Sequence, residues 1–145
     1  MDGMTIDEVI TLASIIQVEA ANSEQMPGVS SVLHNRLDNT YTFPKLECDS
    51  TTAYYTKYIA PNFSNSSADM NTMETFRNRY DTYDDDCTGL PIGAIANPGN
   101  DAIHAALFPE DTNYFYFRHD VKGGIYYASS YAEHEQNGRE AASVG

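Results

Sequence analysis

The carboxylate of Glu19 is the side chain of this sequence best placed for acid–base chemistry. It ends the segment TIDEVITLASIIQVEA and follows Leu12, Ile15 and Ile16 by seven, four and three positions, the spacing of one helix face. We therefore expect its carboxyl group at the rim of the core, where burial disfavours the ionised form and suits a general acid. A Glu near a helix end that is hydrogen-bonded to the next loop is the simpler alternative, and the spacing leaves both open.

The segment YDTYDDDCTGLPIGAIANPG, residues 80–99, is the second informative feature. It contains three Gly and two Pro around Leu90, Ile92 and Ile95. Residues before Pro favour extended backbone and Gly permits positive φ, so the pattern predicts an ordered, partly buried loop rather than a helix. An ordered loop this apolar is expected to line a groove.

The remaining elements follow from periodicity, caps and turn residues. Thr5 with Glu8, and Ser130 with Glu133, are capping boxes, and Ser23 and Asn100 are expected N-caps. We predict helices over about 5–21, 24–39, 51–59, 73–78, 101–107 and 130–137, loops over 40–50 and 60–72, strands over 114–118 and 124–128 joined as a hairpin, and a frayed tail. This order predicts one α+β domain over residues 1–145, with helices flanking a small, mainly antiparallel sheet.

Composition excludes several classes of function. The net charge is −13 and Lys45, Lys57 and Lys122 are the only lysines, which argues against nucleic acid and against an anionic membrane surface. Eleven Tyr and no Trp suit a wet, polar ligand such as a sugar, although most of these rings are expected to fill strands and core edges.

No motif for a metal or cofactor is present, so none is expected. No apolar run approaches the about 20 residues of a membrane span. We expect Asp84, Asp85 and Asp86 to form a solvated acidic turn and His134 to be an exposed helix residue. A disulfide between Cys48 and Cys87 is left open.

Seven segments carry a resemblance to a known family: LASIIQVEA (12–20), VSSVLHNRL (29–37), LECDSTTAYY (46–55), YDTY (80–83), GLPIGAIANPG (89–99), DTNYFYF (111–117) and GG...EH (123–134). In this order they resemble the catalytic domain of the YceG-like endolytic murein transglycosylases. The resemblance implies lytic transglycosylase activity on the MurNAc–GlcNAc bonds of peptidoglycan, with 1,6-anhydro-MurNAc formation and Glu19 as the single catalytic carboxylate. Expected groove contacts are Asn35, Asp49, Thr51, Tyr83 and Asn97, with Leu90 to Pro98 as a groove wall.

The chain departs from that family's pattern at three positions. Ser50 stands where Pro is usual after the loop Asp, Asp81 where Asn is usual in YNTY, and Ile125 where His commonly follows GG. These changes bear on substrate preference and efficiency rather than on reaction class, because Glu19 is retained.

The resemblance also implies a cellular setting. The family usually carries an N-terminal membrane anchor and a small LysM-like domain, both missing here, so we expect an excised catalytic fragment. The fragment itself would be soluble and make no membrane contact. Its full-length protein would act at the extracytoplasmic face of the bacterial membrane, on peptidoglycan strands and with cell-wall synthases as candidate partners.

Three alternatives stay open. The first is a glycan hydrolase of the spore cortex-lytic type, with Asp49 as a second carboxylate. The second is a non-catalytic glycan-binding module. The third is a pyridoxal phosphate lyase (aminodeoxychorismate lyase), which is not favoured because the three lysines lie in expected loops or on an exposed helix.

Overall fold

The computed structural model describes residues 3–63 and 66–145. Its helices and strands are α1 (Ile6–Glu19), α2 (Met26–Leu37), α3 (Asp49–Tyr54), α4 (Ser67–Tyr80), α5 (Asn100–Leu107), β1 (Tyr116–His119), β2 (Ile125–Ala128) and α6 (Tyr131–Ser143). The predicted α+β class, with helices around a small antiparallel sheet, is confirmed. Within the described ranges no helix is both long and apolar enough to cross a bilayer.

Helices α1, α2 and α5 enclose the core. The capping box predicted at Thr5 is present, since Thr5 Oγ1 accepts from Glu8 N and the Glu8 side chain accepts from Thr5 N. Helix α5 can pack closely against the other two helices, because its buried face consists of the small side chains of Ala102, Ala105 and Ala106. Fully buried side chains from α1 and α2 fill the space between the helices: Leu12, Ile15, Ile16, Val29, Val32 and Leu33.

Two polar contacts join α2 to α5 through the core. Ser30 Oγ donates to the carbonyl of Ala105 at 2.6 Å, and His34 Nε2 lies 2.8 Å from the carbonyl of Ala106. Each satisfies a buried polar group that would otherwise be costly. The alignment of α2 is therefore set by hydrogen bonds as well as by apolar packing.

The predicted hairpin is confirmed, with β1 antiparallel to β2 and Tyr116 opposite Ala128. The turn is closed by the carboxylate of Asp120, which accepts from the amides of Lys122 and Gly124 and from the Tyr126 hydroxyl. These bonds, led by that from Gly124, hold the pKa of Asp120 below its usual value. Strand β1 begins two residues later than the 114–118 predicted.

Several predicted boundaries are wrong because local caps and long-range packing override composition. Asn22, not Ser23, caps the 3₁₀ turn Ser23–Gln25 that leads into α2. Gly99, not Asn100, is the N-cap of α5. Helix α3 begins at Asp49 and passes into a π-helical turn, Tyr55–Ile59, so the predicted helix over 51–59 is present but irregular.

The largest error concerns the polar segment predicted as a loop over 60–72. Ser64 and Asn65 of this segment lie outside the described residues. Helix α4 starts at Ser67, because the side chain of Ser66 accepts from Asp69 N and caps it. It extends to Tyr80, well beyond the predicted 73–78.

The final helix is also longer than predicted. Helix α6 runs to Ser143, where a frayed tail after about residue 137 was expected. Its last turns are ordered by tertiary packing, since Ala141 is buried and Gly138 lies against the guanidinium of Arg118.

Candidate active site

Glu19 lies at the C-terminal end of α1, half-buried, where the chain leaves the helix at Ala20 with extended backbone. Its Oε1 accepts a 2.6 Å hydrogen bond from the hydroxyl of Ser50 and a longer 3.4 Å contact from the Ser50 amide. The helix thus carries the carboxyl group to the rim of the core, and a single residue 31 positions later orients it. Both sequence-based interpretations of Glu19 therefore hold. Its carboxyl group is hydrogen-bonded to a following segment and also lies in a cleft.

The segment that presents Ser50 is fastened by two buried threonines. Cys48 N donates to Thr82 Oγ1 at 2.8 Å and Glu47 N donates to the Thr82 carbonyl. Thr51 Oγ1 donates to the Cys48 carbonyl at 2.9 Å and lies 3.0 Å from Thr82 Oγ1. Both hydroxyl residues are fully buried. Thr51, expected as a groove contact, therefore holds the Ser50 segment in place and does not line the cleft.

A cavity of about 420 Å³ opens in front of Glu19. One wall is formed by Glu19, residues 46–49 and Tyr83, and a second wall by residues 115–119 with Tyr131 and His134 of α6. Val32, Leu33 and Arg36 of α2 complete the lining. The volume and the mixture of rings with charged groups are typical of small-ligand clefts.

Arg36 joins the two walls. Its Nε donates to the Phe115 carbonyl at 2.6 Å and its Nη1 to the Lys45 carbonyl at 2.8 Å. The guanidinium carbon lies 5.1 Å from the Phe43 ring centre and 5.0 Å from that of Tyr116. Only 7 % of the side chain is exposed. Arg36 was not among the residues predicted for the site. The available signal was its position one residue before Leu37, at the end of an apolar helix stripe.

Asp49 and Tyr83 form a bridge at the edge of the cleft. The Tyr83 hydroxyl donates to Asp49 Oδ1 at 2.8 Å. Burial and this bond raise the pKa of Tyr83 well above its usual value, so the phenol stays protonated and remains a donor. Beyond the bridge lies a second concavity of about 620 Å³, lined by Thr52, Ala53, Thr56, Lys57 and Asp81. Asp49 and Tyr83 thus border both the cavity in front of Glu19 and this second concavity. Two adjoining depressions of this kind suit an extended polymer.

His134 does not have the exposed setting expected for it. Its ring stacks on Tyr116 with centres 4.9 Å apart and an interplanar angle of 23°, and it lines the cleft. Burial, followed by the charges of Arg118 and Arg36, lowers the pKa of His134. Its buried Nδ1 has no hydrogen-bond partner among the described residues. The residue was misassigned because β1 covers this face of α6, which the α6 sequence cannot reveal.

Asn35 and Asn97 are not brought to this cleft. Asn35 Nδ2 donates to the carbonyls of Thr112 and Tyr114, both at 2.9 Å, and so fixes the approach to β1. Asn97 is exposed on the long loop and is not among the residues that line the cavity. Of the expected contacts, Asp49 and Tyr83 therefore lie with Glu19, whereas Asn35, Thr51 and Asn97 do not line the cleft.

The apolar loop is ordered, as predicted, but it does not form the wall of this cleft. Ile95 is buried in the core and its amide donates to Ser14 Oγ at 3.0 Å. Gly99 N donates to Gln17 Oε1 at 2.9 Å. No residue from 90 to 98 is among the described residues that line the cavity. The loop instead packs along α1 and supports the helix that carries Glu19.

Cys48 and Cys87 are both buried and free, so the disulfide that the sequence left open is not formed. Burial raises the pKa of each thiol, which argues against a nucleophilic role. Within the described ranges no group of three or more His, Cys, Asp or Glu could hold a metal. The acidic turn is exposed at Asp85 but not purely solvated, because Lys45 Nζ lies 2.5 Å from Asp85 Oδ1.

Comparison with known proteins identifies relatives that cover most of the chain. The chain is 27% identical over 135 residues to an endolytic murein transglycosylase of Streptococcus pneumoniae serotype 2 (strain D39 / NCTC 7466), covering 92% of this chain and 23% of that protein. It is 28% identical over 133 residues to one of Bacillus subtilis (strain 168), covering 92% of this chain and 34% of that protein. It therefore spans about a quarter to a third of the length of these relatives.

A solved structure and a family model lead to the same grouping. The crystal structure of a YceG-like protein of Listeria monocytogenes superposes with a TM-score of 0.73 at 30% identity, over 92% of this chain and 40% of that one. The model of the YceG-like family matches residues 1–140. On this evidence the chain belongs to the YceG-like family.

Proposed function

We propose that this chain is a catalytic domain that cleaves the glycan strands of murein as an endolytic lytic transglycosylase, with Glu19 as its only acid–base group. The observation that supports this most directly is the carboxyl group of Glu19, held by Ser50 on the wall of an open cleft. Relatives that cover 92% of the chain are named endolytic murein transglycosylases.

The proposed reaction needs one carboxyl group in two states. Protonated Glu19 donates to the glycosidic oxygen as the bond from C1 of N-acetylmuramic acid to N-acetylglucosamine breaks. The resulting carboxylate then takes the proton of the muramoyl 6-hydroxyl, whose oxygen attacks C1 and closes the 1,6-anhydro ring. Glu19 is regenerated in its protonated form, and no water is added to the product.

Neighbouring groups support the carboxylate state of Glu19 and the binding of the strand. The Ser50 hydroxyl donates to the carboxylate at 2.6 Å, which stabilises the anion formed in the first half-reaction. The Asp49–Tyr83 pair and the rings of Tyr116 and Tyr131 border the space for the sugars. The concavity beyond Asp49 and Tyr83 would accept the strand on one side of the cut, as an endolytic enzyme requires.

The second candidate is a hydrolase on the same strands, and the exposure of Asp49 in the same cleft favours it. Asp49 would then activate a water for attack at C1. The two reactions give different chain ends: anhydro-muramoyl ends for a transglycosylase, and reducing ends that are heavier by one water for a hydrolase.

Mass spectrometry of muropeptides after digestion of isolated strands separates these functions. We expect anhydro-muramoyl ends from the wild-type chain. Glu19→Gln should lower the rate by several orders of magnitude, more than the ~10²–10⁴ of a single helper group, because one residue serves both half-reactions. Its thermal stability should change little, since Gln keeps the shape of the side chain and an oxygen that can accept from the Ser50 hydroxyl. Retention of more than about a tenth of the wild-type rate would refute the assignment of Glu19.

A further inference from the structure

Arg118 is a cation in a strongly acidic chain, and it has no ion-pair partner among the described residues. The net charge is −13, with 21 Asp and Glu against eight Lys and Arg. Arg118 is exposed at the lip of the cleft, and no carboxylate of the described residues forms an ion pair with it. In a protein with so many available acids, a guanidinium left free beside a binding cleft is positioned for an external anion.

The position of this guanidinium is determined by β1 and α6. Tyr116 and Arg118 are two residues apart on β1 and so share one face. His134 and Gly138 are four residues apart on α6 and share the facing side. Tyr116 stacks on His134, and one helical turn further Arg118 lies on the bare backbone of Gly138, where any Cβ would collide with Nη1.

The charged residues that line the cleft come from two parts of the chain. Glu19, Glu47 and Asp49 are on the wall that carries the proposed chemistry, whereas Arg118, His119 and His134 are on the wall formed by β1 and α6. His119 Nε2 is engaged with Gln25 Oε1 at 2.9 Å. Arg36 is committed to backbone carbonyls. Arg118 is therefore the exposed cation of this wall that is available to a ligand.

We propose that Arg118 binds a carboxylate of the murein peptide stem, so that the cleft recognises stem-bearing rather than bare glycan. This rests on the proposed function. N-acetylated sugars are uncharged, whereas the peptide attached to the lactyl group of muramic acid carries carboxylates. A guanidinium forms two parallel hydrogen bonds with a carboxylate, which gives geometry as well as attraction.

Binding of free peptide to the Glu19→Gln chain tests the site without catalysis. The probes are a murein stem peptide with free carboxylates and the same peptide with its carboxylates amidated, titrated by calorimetry at low salt. Arg118→Gln should weaken binding of the free acid about tenfold and leave the amidated peptide unaffected. Arg139→Gln is the matched control, because Arg139 is exposed on α6, next to Gly138, and bonds Gln136.

Gly138→Ala provides a variant that keeps the charge but displaces it. The new methyl group occupies the place of Arg118 Nη1, so affinity for the free acid should fall between wild type and Arg118→Gln. The proposal is overturned if Arg118→Gln and Arg139→Gln bind equally well, or if Arg118→Gln weakens binding of the free and amidated peptides alike.

Kinetics on intact and stem-stripped strands separate this site from the reaction itself. Arg118→Gln should raise KM for stem-bearing strands with kcat unchanged, and should not alter cleavage of stripped strands. Peptide binding that depends on Arg118, without any anhydro ends, would refute the transglycosylase and leave the carboxylate site. Anhydro ends together with equal KM values for the wild-type and Arg118→Gln chains would refute only the carboxylate site.

Discussion

Removal of the Ser50 hydroxyl is the perturbation that most directly probes how this fold controls Glu19. The hydroxyl donates to Glu19 Oε1 at 2.6 Å, a short distance typical of a hydrogen bond to a charged oxygen, whereas the Ser50 amide is 3.4 Å away and contributes little. Ser50→Ala thus removes the main donor that the structure gives to the carboxylate. Cys48, not Ser50, is the N-cap of α3, so the helix itself should be unaffected.

The expected effect follows from the strength of that bond. Hydrogen bonds to charged groups contribute about 1.5–3 kcal/mol, and water can replace part of this at a half-buried site, which leaves about 1–2 kcal/mol. The bond strengthens as Glu19 loses its proton, so the loss falls on the transition state and lowers kcat by roughly 5- to 30-fold. Thermal stability should change by less than about 1 kcal/mol.

The assay is initial-rate release of anhydro-ended fragments from purified strands, with two companion variants. Ser50→Thr keeps the hydroxyl and should retain most activity. Ser50→Pro removes the amide donor as well, at the second position of α3 where a helix tolerates Pro, and should lower kcat at least as far as Ser50→Ala. An unchanged kcat in Ser50→Ala would show that the hydroxyl has no part in positioning Glu19.

Two further predictions concern groups that hold the cleft together. Arg36→Met keeps most of the side-chain volume but loses two charged hydrogen bonds to carbonyls and two ring contacts, so the free energy of unfolding should fall by about 3 kcal/mol, measured by urea denaturation. Arg139→Met, on the exposed side of α6, should stay within about 0.5 kcal/mol of wild type, and equal losses in the two variants would contradict this role. Cys48 and Cys87 should react slowly with a thiol reagent in the native protein at pH 8, because burial raises the pKa of both and lowers the thiolate fraction at any given pH. Two thiols should titrate at once after denaturation in guanidinium, whereas fast native labelling of Cys48 would show that it is not enclosed as described.

Local features of the chain were sufficient for much of the framework. The capping box at Thr5, the N-cap at Ser130 and the turn between β1 and β2 involve residues close in sequence, so their hydrogen bonds can be inferred from spacing alone. The apolar row that ends in Glu19 likewise predicts which face of α1 enters the core. The α+β class and the candidate acid were accordingly predictable.

Helix lengths depended on tertiary contacts as much as on composition. The polar stretch before Met73 looks like a surface loop, yet the Ser66 cap starts α4 there. The glycine in α6 suggests an early end, yet Arg118 of β1 lies across it and the helix continues to Ser143. A propensity of a few tenths of a kcal/mol per residue is readily outweighed by one cap or one packed face.

The composition of the cleft was decided by contacts between distant parts of the chain. Glu19 and Ser50 are 31 positions apart, and Arg36 and Phe115 are 79 apart. The side chains of Asn35, Thr51 and Asn97 are all of types that can bind a sugar. Asn35 instead bonds backbone carbonyls, Thr51 contacts the buried Thr82, and Asn97 is exposed on the long loop. Residue type tells what a side chain can do, whereas the packing of α1, α2 and β1 determines which side chains face the same space.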